Sequence, residues 1–223
     1  MAEQQLLDIS LPRRRAFERE DFFVSGSNDT ALAMIENCPS WPNSQLILTG
    51  PEGAGKTHLA HVWMEATGAE RVLATNLREE DAAALCSIGA VVIEDVDQDL
   101  IRENEVALFH LMNLVRAEGA SLLLTARTRP TSVSTELRDL ASRLAGLAHV
   151  TINAPDEALM KDIIIKQFRD RHLIVAKPVV AYLARRIERS AKAATQLVEQ
   201  LDGISRAEAQ GITIPFVRRH LKF

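Results

Sequence analysis

The stretch that most constrains this chain is Gln45–Thr57, QLILTGPEGAGKT. An apolar run breaks into a glycine-rich turn that ends in Gly55-Lys56-Thr57, and a helix-forming segment follows. The spacing is G-x-x-x-x-G-K-[ST], read between a strand and a helix. Glycines let successive backbone N–H groups turn inward toward phosphate oxygens, and the helix start adds its positive end. Gly50, Glu52, Gly53, Ala54 and Gly55 are therefore expected to form a nucleotide-phosphate cradle. Lys56 is placed to reach the β- and γ-phosphates, and the Thr57 hydroxyl to ligate Mg²⁺. His58 is expected to add mainly its backbone N–H.

A phosphate-binding loop of this kind works with acids at the tip of a second buried strand. Val91-Val92-Ile93-Glu94-Asp95 supplies a pair. Glu94 is the candidate for holding the metal through water and Asp95 for orienting an attacking water, which makes both candidate catalytic and metal-binding residues.

The strands implied around these motifs are nearly all apolar: QLILT, AVVIE and SLLLTA, with ERVLATN and AHVTIN less so. Helical patterns alternate with them, at 28–37 behind an Asn28 cap, from Lys56 to a stop at Gly68, in REEDAAALCSIG, at 103–117 and in TELRDLASRLAG. Such alternation predicts a parallel sheet sandwiched by helices. After NAPD at 153–156 the pattern becomes wholly helical. The expected organisation is a tail over 1–16, an α/β nucleotide-binding domain over 17–154 and a small helical domain over 155–223. RRIERSAK at 185–192 reads as one exposed helix face, Arg13–Arg15 as a solvated linker, and Trp41, Trp63 and Tyr182 as packing residues.

Apolar residues make up 47% of the 223, enough for a packed core, and the net charge of −4 argues against a dedicated nucleic-acid binder. Cys38 and Cys86 lack metal-ligand spacing and read as thiols of a reducing compartment. No apolar run approaches a membrane span and the N-terminus lacks a signal-peptide pattern, so a cytoplasmic protein is expected.

Taken in order, the glycine loop, the acid pair, SLLLTARTRP, LASRLAGLAHVTINAPDEAL and the helical tail resemble the AAA+ ATPases. Within them they resemble the DnaA-like family. EDFFVSGSN at 20–28 is similar to the segment that lines the adenine pocket there, which implies Phe23 and Val24 as nucleotide contacts. Residue 223 falls where the DnaA lid ends, before its DNA-reading domain. That length and the ending TIPFVRRHL resemble the Hda group of short DnaA homologues, which switch DnaA off. The resemblance implies ADP or ATP with Mg²⁺, and two partners: DnaA and the DNA polymerase sliding clamp (its beta subunit). Gln4, Leu7 and Ile9 are the anchors of a stretch similar to a clamp-binding peptide of the type Q-x-x-L-x-[LF], with Ile9 at the position of its Leu or Phe. Arg143 matches the arginine finger that acts on a neighbour's nucleotide, with Arg138 as a helper, and Lys192 matches the lid residue that reads phosphates. No sequence-specific DNA contact is expected, and homo-oligomerisation is left open.

Three positions depart from the family pattern. The acids read Glu-Asp, Arg127 stands where DnaA carries an acidic sensor, and Lys192 replaces an arginine, keeping the charge but losing the fork. Thr125 stays near the site. These changes imply intact nucleotide binding, weak hydrolysis by the chain itself, and ADP as a brace between domain and lid. Two alternatives stay open: a self-sufficient AAA+ ATPase that loads a helicase or remodels a partner, and an adaptor without a catalytic part.

Overall fold

The computed structural model describes residues 17–38, 40–129 and 137–221, with backbone alone for 98–103. Five parallel strands form one sheet: β1 (Gln45–Thr49), β2 (Glu70–Leu73), β3 (Ala90–Glu94), β4 (Ser121–Ala126) and β5 (Ala148–Thr151). Their spatial order is β2-β3-β4-β1-β5. β1 pairs Ile47 with Leu124 of β4 and with His149 of β5.

The helices follow from the period-2 alternation of the strands. Leu46 and Leu48 of β1, Val92 of β3 and Leu123 of β4 face α1 (Asp29–Glu36) and α2 (Lys56–Thr67), packing on Leu32, Ile35, Leu59 and Trp63. Ile47, Val91, Ile93, Leu122 and Leu124 face the other way. They meet α3 (Ala82–Ser87), α4 (Gln98–Glu118) and α5 (Arg138–Ala145) through Leu85, Leu111, Met112 and Leu140. Both faces are covered, which is why β1 and β3 are buried from end to end. The chain leaves β1 in one direction through α2, then returns strand by strand through α3, α4 and α5 on the opposite face. Right-handed crossovers require that change of face when the direction reverses. The loop after β1 therefore sits at the point where the strand order switches, at the carboxyl ends of the strands, where open α/β sheets form their ligand crevice.

The remaining helices are α6 (Glu157–Arg169), α7 (Lys177–Ala184), α8 (Ala191–Glu208) and α9 (Ile214–His220). Met160, Ile164 and Phe168, one helical turn apart, meet Val180, Leu183, Val198, Leu201, Phe216 and Val217 in a separate core. Side chains cap three of these helices. Asp156 accepts from Leu159 N–H at 2.8 Å, Ser190 from Ala193 N–H at 3.1 Å and Thr213 from Phe216 N–H at 3.3 Å. Among the described residues no helix is long and apolar enough to cross a membrane.

Several expectations need correction. Asn28 occupies the cap position of α1 but caps nothing with its side chain. It is buried and turned back into the preceding loop, where Oδ1 accepts from Ser25 N–H at 2.8 Å and Nδ2 donates to Phe23 O at 2.9 Å. α4 begins at Gln98 rather than 103, with a break in helical dihedrals at Asn104 (φ −128°), whose amide donates to Ala74 O at 2.7 Å. REEDAAALCSIG forms a 3-10 turn over Glu79–Asp81 before α3 starts at Ala82. RRIERSAK is not one helix face: α7 ends at Ala184, and the run turns before Ser190 opens α8.

Candidate functional site

The glycine loop is shaped by what crowds it. Gly50 abuts the end of β5, where a Cβ would collide with the carbonyl oxygen of Ile152. Gly53 has φ +73°, and a Cβ there would lie 2.5 Å from Cβ of Ser190. The lid thus lies directly on the loop, and Ala191 N–H donates to Gly53 O at 3.0 Å. Gly55, in the left-handed region, passes the chain into α2.

Lys56 is the first residue of α2 and only 8% exposed. Its Nζ donates to Gly50 O at 2.7 Å and Pro51 O at 3.0 Å, so the ammonium lies inside the curve of the loop. Burial lowers its pKa, opposed by the nearby Asp95 and Asp97 carboxylates. Thr57 is exposed at the head of the helix. The His58 ring donates from Nε2 to Glu18 O at 3.0 Å and lies edge-on to Phe22, with ring centroids 5.1 Å apart. Burial lowers its pKa as well. The 17–28 segment, carrying half-buried Phe23 and exposed Val24, is thereby held beside the start of α2.

Glu94 closes β3, 2% exposed, and is paired by the Arg71 guanidinium reaching over from β2. Its Oε1 is buried with no hydrogen-bond partner among the described residues. Asp95 follows at φ +59°, a left-handed conformation that costs a non-glycine residue about 1–3 kcal/mol. Two bonds from Thr125 hold it there: Asp95 N–H donates to Thr125 Oγ1 at 3.1 Å and Val96 N–H to Thr125 O at 2.8 Å. Partial desolvation raises the Asp95 pKa, helped by repulsion from Glu94 and Asp97.

A third set of charges closes the mouth of the loop. Lys192, from the first turn of α8, donates to Glu52 Oε1 at 2.6 Å. Arg127, just past β4, lies 3.9 Å from the other oxygen of Glu52 and 3.5 Å from Asp97. Glu52 has its pKa lowered by the hydrogen bond and charge of Lys192, then by Arg127. Sequence reasoning placed Glu52, Arg127 and Lys192 near the site singly; it did not find that they bind one another. Arg71, Asp97 and Ser190 were not anticipated, because nothing local in the sequence marks their partners.

Arg143 is elsewhere. It sits in the last turn of α5, its guanidinium 5.0 Å from the centre of the Phe109 ring on α4. Gln4, Leu7 and Ile9 lie outside the described residues, as do Arg13–Arg15.

Residues 157–221 match the family model for the lid domain of Hda. Domain III of the replication initiation protein DnaA from Thermotoga maritima superposes with a TM-score of 0.76 at 17% identity, covering 96% of this chain and all of that one. This chain has a DnaA-like AAA+ fold with an Hda-type lid. AMPPCP-bound DnaA from Aquifex aeolicus shares the AAA+ fold with a TM-score of 0.67 at 18% identity, over 85% of this chain and 68% of that chain. An uncharacterized protein of Haemophilus influenzae is 25% identical over 222 residues, 91% of this chain and 92% of its own length.

A glycine loop curved around a buried ammonium at the start of a helix is an arrangement that suits an anionic phosphate chain. Among the described residues no group of three or more His, Cys, Asp or Glu could hold a metal alone. The donors nevertheless fit a hydrated cation carried in by phosphates: an exposed Thr57 hydroxyl, the exposed Asp95 carboxyl and the orphaned Oε1 of buried Glu94.

Proposed function

We propose that this chain binds an adenine nucleotide between loop and lid and acts as an Hda-type regulator of DnaA, promoting hydrolysis of the ATP that DnaA carries. The observation behind this reading is the seating of an Hda-type lid on the glycine loop, through Ala191 N–H to Gly53 O. A nucleotide held there braces the α/β part against the lid. Gly50 to Gly55 surround the phosphates with backbone N–H groups, Lys56 supplies charge, and the 17–28 segment with Phe23 and Val24 flanks the base. Thr57, with Glu94 and Asp95 through water, would hold Mg²⁺, which neutralises charge between phosphate oxygens when bound.

The chain's own hydrolysis is expected to be slow. Arg71 engages one oxygen of Glu94, and Lys192 and Arg127 are engaged by Glu52. Arg143, resting on Phe109, is free of that network and suits action on a neighbour. In this reading it enters the DnaA site and stabilises the charge that develops as the terminal phosphate departs. The tail residues Gln4, Leu7 and Ile9 dock on the DNA-loaded sliding clamp and bring the two proteins together.

The test is ATP hydrolysis by DnaA in the presence of DNA-loaded clamp. The wild-type chain should stimulate it, and Arg143→Ala should abolish the stimulation, since such a finger is worth about 10³–10⁵ in rate. Removal of the first nine residues should abolish only the clamp-dependent part. Full stimulation by Arg143→Ala would refute the finger.

A further inference from the structure

Three cations converge on the mouth of the loop: Lys56, Arg127 and Lys192. Each is engaged by the chain itself. Lys56 donates to the carbonyls of Gly50 and Pro51. Lys192 is held by Glu52 at 2.6 Å. Arg127 lies between Glu52 at 3.9 Å and Asp97 at 3.5 Å, and its backbone N–H donates to Asp97 Oδ1 at 2.8 Å. Glu52 stands third from the start of the loop, and among the described residues it alone contacts both a cation just past the sheet and a cation of the lid. The cleft beside it, about 260 Å³, is lined by Glu52, Glu188, Ser190, Lys192, Ala193 and Gln196, so two carboxylates already face one ammonium.

We infer that Glu52 is a specificity residue: its carboxylate fills the place between sheet cation and lid cation that a terminal phosphate would take, so the cradle favours a nucleoside diphosphate over a triphosphate. This rests on the nucleotide-binding reading above. Lys56, Arg127 and Lys192 lie among four carboxylates, Glu52, Asp95, Asp97 and Glu188, while Glu94 is answered by Arg71. Arg127 and Lys192 thus already have carboxylate partners where a third phosphate would call on them. A triphosphate must either pull Lys192 and Arg127 off Glu52 or lie beside that carboxylate. In open water such exposed pairs are weak. Under a lid closed over a nucleotide, water is excluded and like charges repel more strongly.

The experiment is calorimetric titration of the full chain with ADP and with AMPPCP, both with Mg²⁺. The wild type should bind ADP more tightly. Glu52→Gln keeps the size and removes the charge. It should narrow the ADP-to-AMPPCP preference about tenfold, mainly by tightening AMPPCP, the scale expected for one like-charge contact in partly screened surroundings. Lys192→Gln, which leaves Glu52 unopposed on the lid side, should widen the preference instead. A ratio unchanged in both variants, with the wild type binding both ligands, overturns the role of Glu52 and leaves the nucleotide reading standing. A wild type that binds neither ligand overturns both.

Discussion

The contact between lid and loop can be tested at one carbon atom. Replacing Gly53 with alanine places a methyl 2.5 Å from Cβ and 3.1 Å from Oγ of Ser190, at a residue with φ +73°. The left-handed conformation costs an alanine about 1–2 kcal/mol. The clash adds about 1–3 kcal/mol if the lid holds its place, as overpacking does in well-filled interiors. A total near 3 kcal/mol lowers Tm by roughly 6–12 °C for a chain of this size. Ser190→Gly removes the atoms that clash, and as a cap substitution it should itself cost only about a few tenths of a kcal/mol. Thermal and denaturant unfolding of wild type, both single variants and the double variant then gives a cycle. Gly53→Ala should cost about 1–2 kcal/mol in the Ser190→Gly background, against about 3 in the wild type. An identical cost in both backgrounds would refute the close approach of α8 to the loop.

Phe168→Ala should destabilise by about 3–5 kcal/mol, because Phe168 is 2% exposed in the centre of the lid core; denaturant unfolding reads it. Arg71→Gln should cost about 3 kcal/mol by stranding the buried Glu94 carboxylate, and adding Glu94→Gln should recover part of the loss. Thr125→Val should cost about 1–2 kcal/mol, leaving the N–H of left-handed Asp95 without its acceptor. His58 has a lowered pKa in the fold, so the unfolded chain takes up its proton first on acidification. Its contribution is therefore intact above the ordinary histidine value near 6.5 and lost as pH falls through it. The stability difference between wild type and His58→Gln should shrink from pH 8 to pH 5 (roughly one and a half units on either side of that value), as equilibrium unfolding at several pH values would show.

The sheet was legible because its central strands are buried on both faces, so QLILT, AVVIE and SLLLTA are almost unbroken apolar runs. The lid was legible from the wholly helical patterns after NAPD at 153–156, where Met160, Ile164 and Phe168 recur at helical spacing. Other features were hidden for physical reasons. The stretch QDLIREN at 98–104 holds only two apolar residues, Leu100 and Ile101, side by side in sequence, so the start of α4 left no amphipathic period. Asn28 looks like a cap because caps favour asparagine, yet its amide satisfies the loop before the helix. RRIERSAK suggested a solvated helix, but the Ser190 hydroxyl is spent on starting a new one. The ionic network at the cradle was least accessible. Glu52 meets Lys192 across 140 positions, and Arg71 meets Glu94 across 23. Charge pairing at that distance in sequence leaves no period and no motif.

Binding of an adenine nucleotide by the loop is the premise on which the rest stands. Titration of the purified chain with ADP and Mg²⁺, beside Lys56→Ala with circular dichroism to verify its fold, tests it most directly. One-to-one saturation by the wild type and none by the folded variant is the predicted result. No binding by the wild type, or equal binding by the variant that lacks the buried ammonium, would contradict it.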